Sequence, residues 1–209
     1  MQPQDLGAIP LFPLPNVVLL PAGVIPLHVF ESRYCALVEE VLAGNQLLGL
    51  PQLAPGWEPH YHADPAIYPT FGLGRILEHE TLGGGRFNIL VEGIARVRVL
   101  QEGIHPKGFR EAKVSLINDT PGDGAVLSRA SRQTKLALGQ LISLSPQLRE
   151  LSTLMELDLD PASFCDTLAH ALMTDPNDRQ TYIETDAVSE RMRLTQKALE
   201  SVLAEFMTR

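Results

Sequence analysis

Four prolines constrain the start of this chain more than any other feature. Pro13, Pro15, Pro21 and Pro26 punctuate residues 11–34, LFPLPNVVLLPAGVIPLHVFESRY. Proline fixes φ and removes a backbone donor, so residues 17–20 and 24–30 cannot be helix interior. Both apolar runs read as short strands, with proline at an edge, a strand start or a bulge. After Phe30 the pattern changes to that of a helix start. Tyr34, Leu37, Val38, Val41 and Leu42 form one apolar face, with Ser32 as the expected cap and Gly44 as the expected C′ residue.

The chain has 209 residues, 44% of them apolar, enough for one large domain or two small ones. No apolar run approaches the roughly 20 residues of a helical membrane span. The first ten residues, MQPQDLGAIP, lack a basic region and an apolar core, so no secretory signal is read and a cytoplasmic protein is expected. Cys35 and Cys165 then read as free thiols rather than a disulfide. The formal net charge of −8 opposes non-specific phosphate binding, so nucleic acid is not an expected partner. Arg96 with Arg98, and Lys107 with Arg110, are weak basic clusters only.

Turn residues concentrate at 118–124, NDTPGDG, and divide the chain. Residues 1–118 carry the Pro, the Gly and the strand signals. Residues 125–209 are Leu-rich with helical spacing, and 119–124 read as a linker. In the first part a strand is expected over 46–53, a long loop over 54–71, and a hairpin of strands 72–80 and 86–92 turning at Gly83-Gly84-Gly85. Alternation continues through 94–99, and a last strand covers 109–117. In the second part Ser145-Pro146 and Asp160-Pro161 mark helix starts, and a final helix covers 186–207.

The opening stretch resembles the N-terminal domain of Lon-type ATP-dependent proteases. The residues that carry the resemblance are Pro13, Leu14, Val18, Leu19, Pro21, Gly23, Pro26, Leu27, Phe30, Glu31, Arg33 and Tyr34. Ala22 departs from it, because the family has Pro directly before Gly. A second set follows: Gly72, Ile76, Gly85, Ile89, Val91, Gly93, Arg96, Val99, Ala112 and Val114. A third lies in 178–194, DRQTYIETDAVSERMRL. The resemblance spans about residues 8 to 206. It implies an α+β fold, a PUA-like β pseudobarrel followed by a C-terminal α-helical bundle. Gly93 would provide a bend or bulge within a long strand.

No G-x-x-x-x-G-K-[ST] phosphate loop occurs, since none of Lys107, Lys113, Lys135 and Lys197 follows a glycine, and no G-x-S-x-G elbow occurs. The expectation is a stand-alone, non-catalytic module that has neither the ATPase nor the Ser–Lys peptidase of the family. The resemblance implies binding of client proteins or peptides, delivery to a separate ATP-dependent protease, and weak self-association. An RNA-binding PUA-like module and a small-ligand-binding adaptor are the alternatives. The Lon-like domain of cereblon-type ligase receptors is also an adaptor.

The residues expected to meet a partner are Trp57, Tyr61, Tyr68 and Phe71, because aromatic side chains dominate interface hot spots and long loops carry function. Pro26, Glu31, Arg33, Tyr34, Gly93 and Arg96 read as structural, with Arg96 on the barrel surface or at a junction. His28 and His170 read as packed. His60, His62 and Asp64 are too few for a closed metal site, so neither a metal nor a cofactor is expected.

Overall fold

The computed structural model describes residues 6–61 and 63–207. The chain forms two compact units, Met1–Ile117 and Asn118–Arg209.

The first unit is a six-stranded antiparallel sheet with one helix: β1 (Ala8–Pro10), β2 (Val24–Val29), α1 (Ser32–Ala43), β3 (Leu47–Leu50), β4 (Thr70–Leu82), β5 (Arg86–Ile104) and β6 (Arg110–Leu116). The order is β1-β6-β5-β4-β3. Two strands share one edge of β5. β2 pairs with residues 87–92 and β6 with residues 97–104. The sheet closes on itself through parallel bridges, Leu11 to Gly49 and Leu14 to Gln52. Phe12 N–H donates to the Gly49 carbonyl at 2.8 Å and Leu14 N–H to the Pro51 carbonyl at 3.0 Å. This closed, bulged sheet is the expected barrel.

Residues 17–20 differ from expectation. Val18, Leu19 and Leu20 are buried, the last two completely, and Val17 is half-buried, yet the four form no strand. Instead they cross the inside of the β4–β5 pair. A Cβ on Gly72 would lie 2.1 Å from the Leu19 carbonyl oxygen, and one on Gly93 would lie 2.2 Å from that of Leu20. The chain is then tied down where it leaves. Ala22 N–H donates to the Gly93 carbonyl, and Gly93 N–H to the Gly23 carbonyl, both at 2.8 Å. Gly93 therefore serves a backbone crossing, and the adjacent bulge leaves Ile94 without a partner on β4. Ala22, where the family motif is interrupted, sits at φ 60° in the left-handed region.

Strand β5 bends at that bulge and feeds two apolar clusters. Phe87, Ile89 and Val91 pack with Leu37, Val38 and Val41 of α1. Val97 packs with Ile9, Leu11 and Phe71. Two further bulges leave Leu77 and Leu100 unpaired, and both point outward at 47% and 67% exposure. An inserted residue reverses the alternation, which explains apolar residues on a solvent face. Helix α1 ends without the expected left-handed glycine. Gly44 keeps a negative φ, and Gln46 at φ 62° makes the turn, its N–H on the Val41 carbonyl.

The second unit holds α2 (Gly124–Leu144), a 3₁₀ segment (Pro146–Ser152), α3 (Thr153–Glu156), α4 (Pro161–Leu172), α5 (Pro176–Glu184) and α6 (Val188–Met207). Asp123, Asp160 and Asp175 each accept two backbone N–H groups at a helix start. Asp175-Pro176 carries the same sequence signal as Asp160-Pro161 and starts α5. The segment expected to be a linker is held within this unit. Thr120 N–H donates to the Asp186 carbonyl at 2.9 Å, and Val188 N–H returns to Thr120 at 3.3 Å.

Gly93→Ala is expected to destabilise the protein by at least about 3 kcal/mol, because the added methyl meets backbone rather than a mobile side chain. Ala22→Gly should instead raise stability by up to about 1 kcal/mol, since left-handed backbone costs an L-residue that much or more. Urea melts of the two variants check both signs.

Candidate functional site

The junction of β2 and α1 collects most of the residues singled out in the sequence. Glu31, not Ser32, is the N-cap, and its carbonyl accepts from the N–H of Tyr34 and of Cys35 at 2.9 Å. Its side chain faces away from the helix amides. One carboxylate oxygen accepts from Arg33 Nε at 3.2 Å and the other from the Tyr61 hydroxyl at 3.2 Å. Tyr34 stacks on Phe12 with centroids 4.3 Å apart, and the Arg33 guanidinium lies 4.6 Å from the same ring centroid. Two groups that close cannot share one face, so Tyr34 is clamped between them. Burial is the main reason its hydroxyl pKa is pushed up to about 12.

Through Tyr61 this junction holds the long loop. The base of the loop is a small ladder in which Leu53 bridges Ile67 and Ala54 N–H donates to the Ala66 carbonyl at 2.8 Å. Tyr68 is half-buried there, its N–H on the Gln52 carbonyl. At the tip Trp57 meets Tyr61 edge-on, centroids 5.7 Å apart, and both are half-buried. Phe71 is separate from this group. It lies in β4 at 1% exposure and packs the core, so it offers no surface contact. Arg96 is 3% exposed, which places it inside the protein rather than on the barrel surface. His62 and the side chain of His60 lie outside the described residues. Among the described residues no three His, Cys, Asp or Glu gather as metal ligands.

A second feature, missed in the sequence, is the outer face of β2, β5 and β4. Register places Pro26, Leu90 and Glu78 in one row, and His28, Asn88 and Glu80 in the next. His28 is exposed here, not packed. Its ring hydrogen-bonds Asn88 at 2.8 Å, and Asn88 donates onward to Glu80 at 2.9 Å. Pro26, Glu78, Glu80, Asn88 and Leu90 line a shallow groove of about 290 Å³ with His79 and Ile89. The available signal was the apolar and polar alternation of 86–92 read together with that of 24–29.

In the second unit one charged cluster is buried. Arg191, 0% exposed, donates to Asp166 at 2.9 Å and pairs with Asp119 at 2.7 Å. Tyr182 donates to the same Asp166 oxygen at 2.7 Å. Burial, with the Asp166 charge adding to it, raises the Tyr182 pKa, and the Cys165 thiol is pushed up to about 12 for the same reasons. A thiol this protonated is a poor nucleophile. Arg191→Ala should cost about 3–5 kcal/mol by leaving Asp166 buried without its cation. Asp119→Asn should cost at most about 1 kcal/mol, because that partner is part-exposed. Chemical denaturation of the two variants measures the difference.

This closed, bulged barrel, followed in sequence by a capped helical unit, defines a known class of domain. A family model described as the ATP-dependent protease La (LON) substrate-binding domain matches residues 8–201, and the chain belongs to that family. It is 30% identical over 95% of its length to a Lon protease of Roseiflexus castenholzii, and 26% identical over 91% to Lon protease 2 of Myxococcus xanthus. It spans about a quarter of each, 25% and 23%. A Lon N-terminal domain protein from Xanthomonas campestris superposes with a TM-score of 0.59 at 25% identity, covering 95% of this chain and 98% of that one. The N-terminal domain of a Mycobacterium avium complex Lon protease has the same fold, with a TM-score of 0.73 at 17% identity over 92% and 98%. Among the described residues no helix is long and apolar enough to cross a membrane.

Proposed function

We propose that this chain is a non-catalytic protein-binding module that recognises extended or unfolded segments of client proteins. The observation that carries this reading is the match of residues 8–201 to a domain described as substrate-binding. A separate ATP-dependent protease is the partner to which clients would be delivered. The Trp57–Tyr61 pair is a contact point, because its rings are part-exposed on a loop anchored at its base and at Glu31. A preformed aromatic lip loses little entropy on binding.

The test is fluorescence anisotropy with a labelled, reduced and carboxymethylated protein that cannot refold. The intact chain is expected to bind it. Trp57→Ala should weaken binding about fivefold or more, as at an interface hot spot, and leave the thermal midpoint unchanged. A parallel loss of binding and stability would reduce the aromatic pair to a fastening for the loop. No binding by the intact chain would reject the function itself.

A further inference from the structure

The three strands β2, β5 and β4 form a sheet with two free margins among the described residues. Strand β3 covers β4 only opposite residues 72–75, so residues 77–82 have no neighbour on that side. Strand β2 pairs with β5 alone. The margins are unlike. That of β4 carries Glu78, His79 and Glu80 and is broken by the bulge at Leu77, the devices that keep an edge from pairing. Strand β2, VIPLHV, carries no acidic or basic residue except His28 and no bulge between 24 and 29.

Backbone direction along β2 follows from one hydrogen bond. Gly93 N–H donates to the Gly23 carbonyl, so residue 23 faces β5. Alternation then turns 25, 27 and 29 toward β5, and 24, 26 and 28 away from it. The free edge therefore offers the N–H and C=O of Val24 and of His28, and the C=O of Pro26. Proline sits at one of these outward positions, where its missing N–H costs the sheet nothing. It also selects the occupant. In the symmetric antiparallel pairing that overlaps all the outward positions of β2 with those of its copy, Pro26 would face Pro26, with neither able to donate. A different chain, with an ordinary residue there, donates its N–H to the Pro26 carbonyl.

We propose that an extended segment of a partner protein adds to this edge as a further strand, with Arg or Lys opposite Pro26. That residue's side chain enters the row Pro26, Leu90, Glu78. Three inter-strand spacings, about 14 Å, separate the added strand from β4. An extended arginine and a glutamate meeting head to head cover that span. The apolar stem lies over Pro26 and Leu90, and the cation reaches Glu78. Charge complementarity favours a cation, because Glu78 and Glu80 are the charged residues lining the groove and no Lys or Arg lines it. Glu80 is already engaged by Asn88, which leaves Glu78 as the receptor.

This inference rests on the protein-binding reading and names the surface and the segment it takes. The probe is a labelled nonapeptide alternating Thr and Val with Arg at its centre, compared with the same peptide carrying Glu there. Its binding is measured beside that of the unfolded protein used above. The Arg peptide is expected to bind at least tenfold tighter than the Glu peptide. Glu78→Lys should reverse that preference, and Val24→Pro, which removes an outward N–H, should weaken both peptides tenfold. Circular dichroism melts confirm that both variants fold. If the unfolded protein binds the intact chain and both variants alike, the edge is not the site and the proposal falls, while the protein-binding reading stands. If the intact chain binds the unfolded protein but not the Arg peptide, the proposal falls in the same way. If it binds neither probe, both readings fall.

Discussion

The first unit depends on a close crossing of backbones. Residues 19 and 20 pass against Gly72 of β4 and Gly93 of β5 at a distance that leaves no space for a Cβ. Two glycines in adjacent strands let a buried segment lie where side chains would otherwise interdigitate. The hydrogen bonds between Ala22, Gly23 and Gly93 then aim the chain into β2. The edge direction of β2, the bend of β5 and the split of the core into two clusters all follow from that contact. A strand carrying a side chain at either position would push the crossing segment outward and open the barrel.

From that anchor the surface features are placed by short-range rules. β2 ends at the Glu31 junction, and Glu31 secures the long loop through Tyr61. The bulges in β4 and β5 put Leu77 and Leu100 outside and reset the alternation beyond them. The result is a sheet with one margin closed by charge and one left open. A binding module benefits from such asymmetry, since a single open edge restricts where another strand can pair. The helical unit is organised differently. Aspartates cap its helices, and a buried arginine paired with Asp166 and Asp119 joins α4, α6 and the segment that leads into α2.

The features legible in the sequence were those set by local chemistry. Proline placement excluded helix from the opening stretch. Period-two alternation marked the strands, and Asp-Pro marked a helix start whose cap geometry followed. The ordered motifs identified the family. Less legible were features that depend on distant partners. Residues 17–20 have the composition of a strand, but their backbone meets glycines instead of a ladder. Phe71 reads as part of an aromatic loop, and Arg96 as a residue of the barrel surface or a junction, yet both are buried, because burial depends on what packs above a strand. His28 reads as packed among apolar residues, but it alternates onto the solvent face.

The sequence by itself determined most of the element types and membership of the Lon substrate-binding domain family. These rest on φ restriction, side-chain period and turn chemistry, all of which act over a few residues. The tertiary structure alone decided which edge stays open, which aromatic residues reach the surface, and which carboxylates line the groove. Glu78 meets Pro26 only through Leu90, across three strands 12 and 52 residues apart in the chain. No local pattern encodes that row, because register is set by the bulges and the glycine crossing, and a shift of one residue would send each side chain to the opposite face.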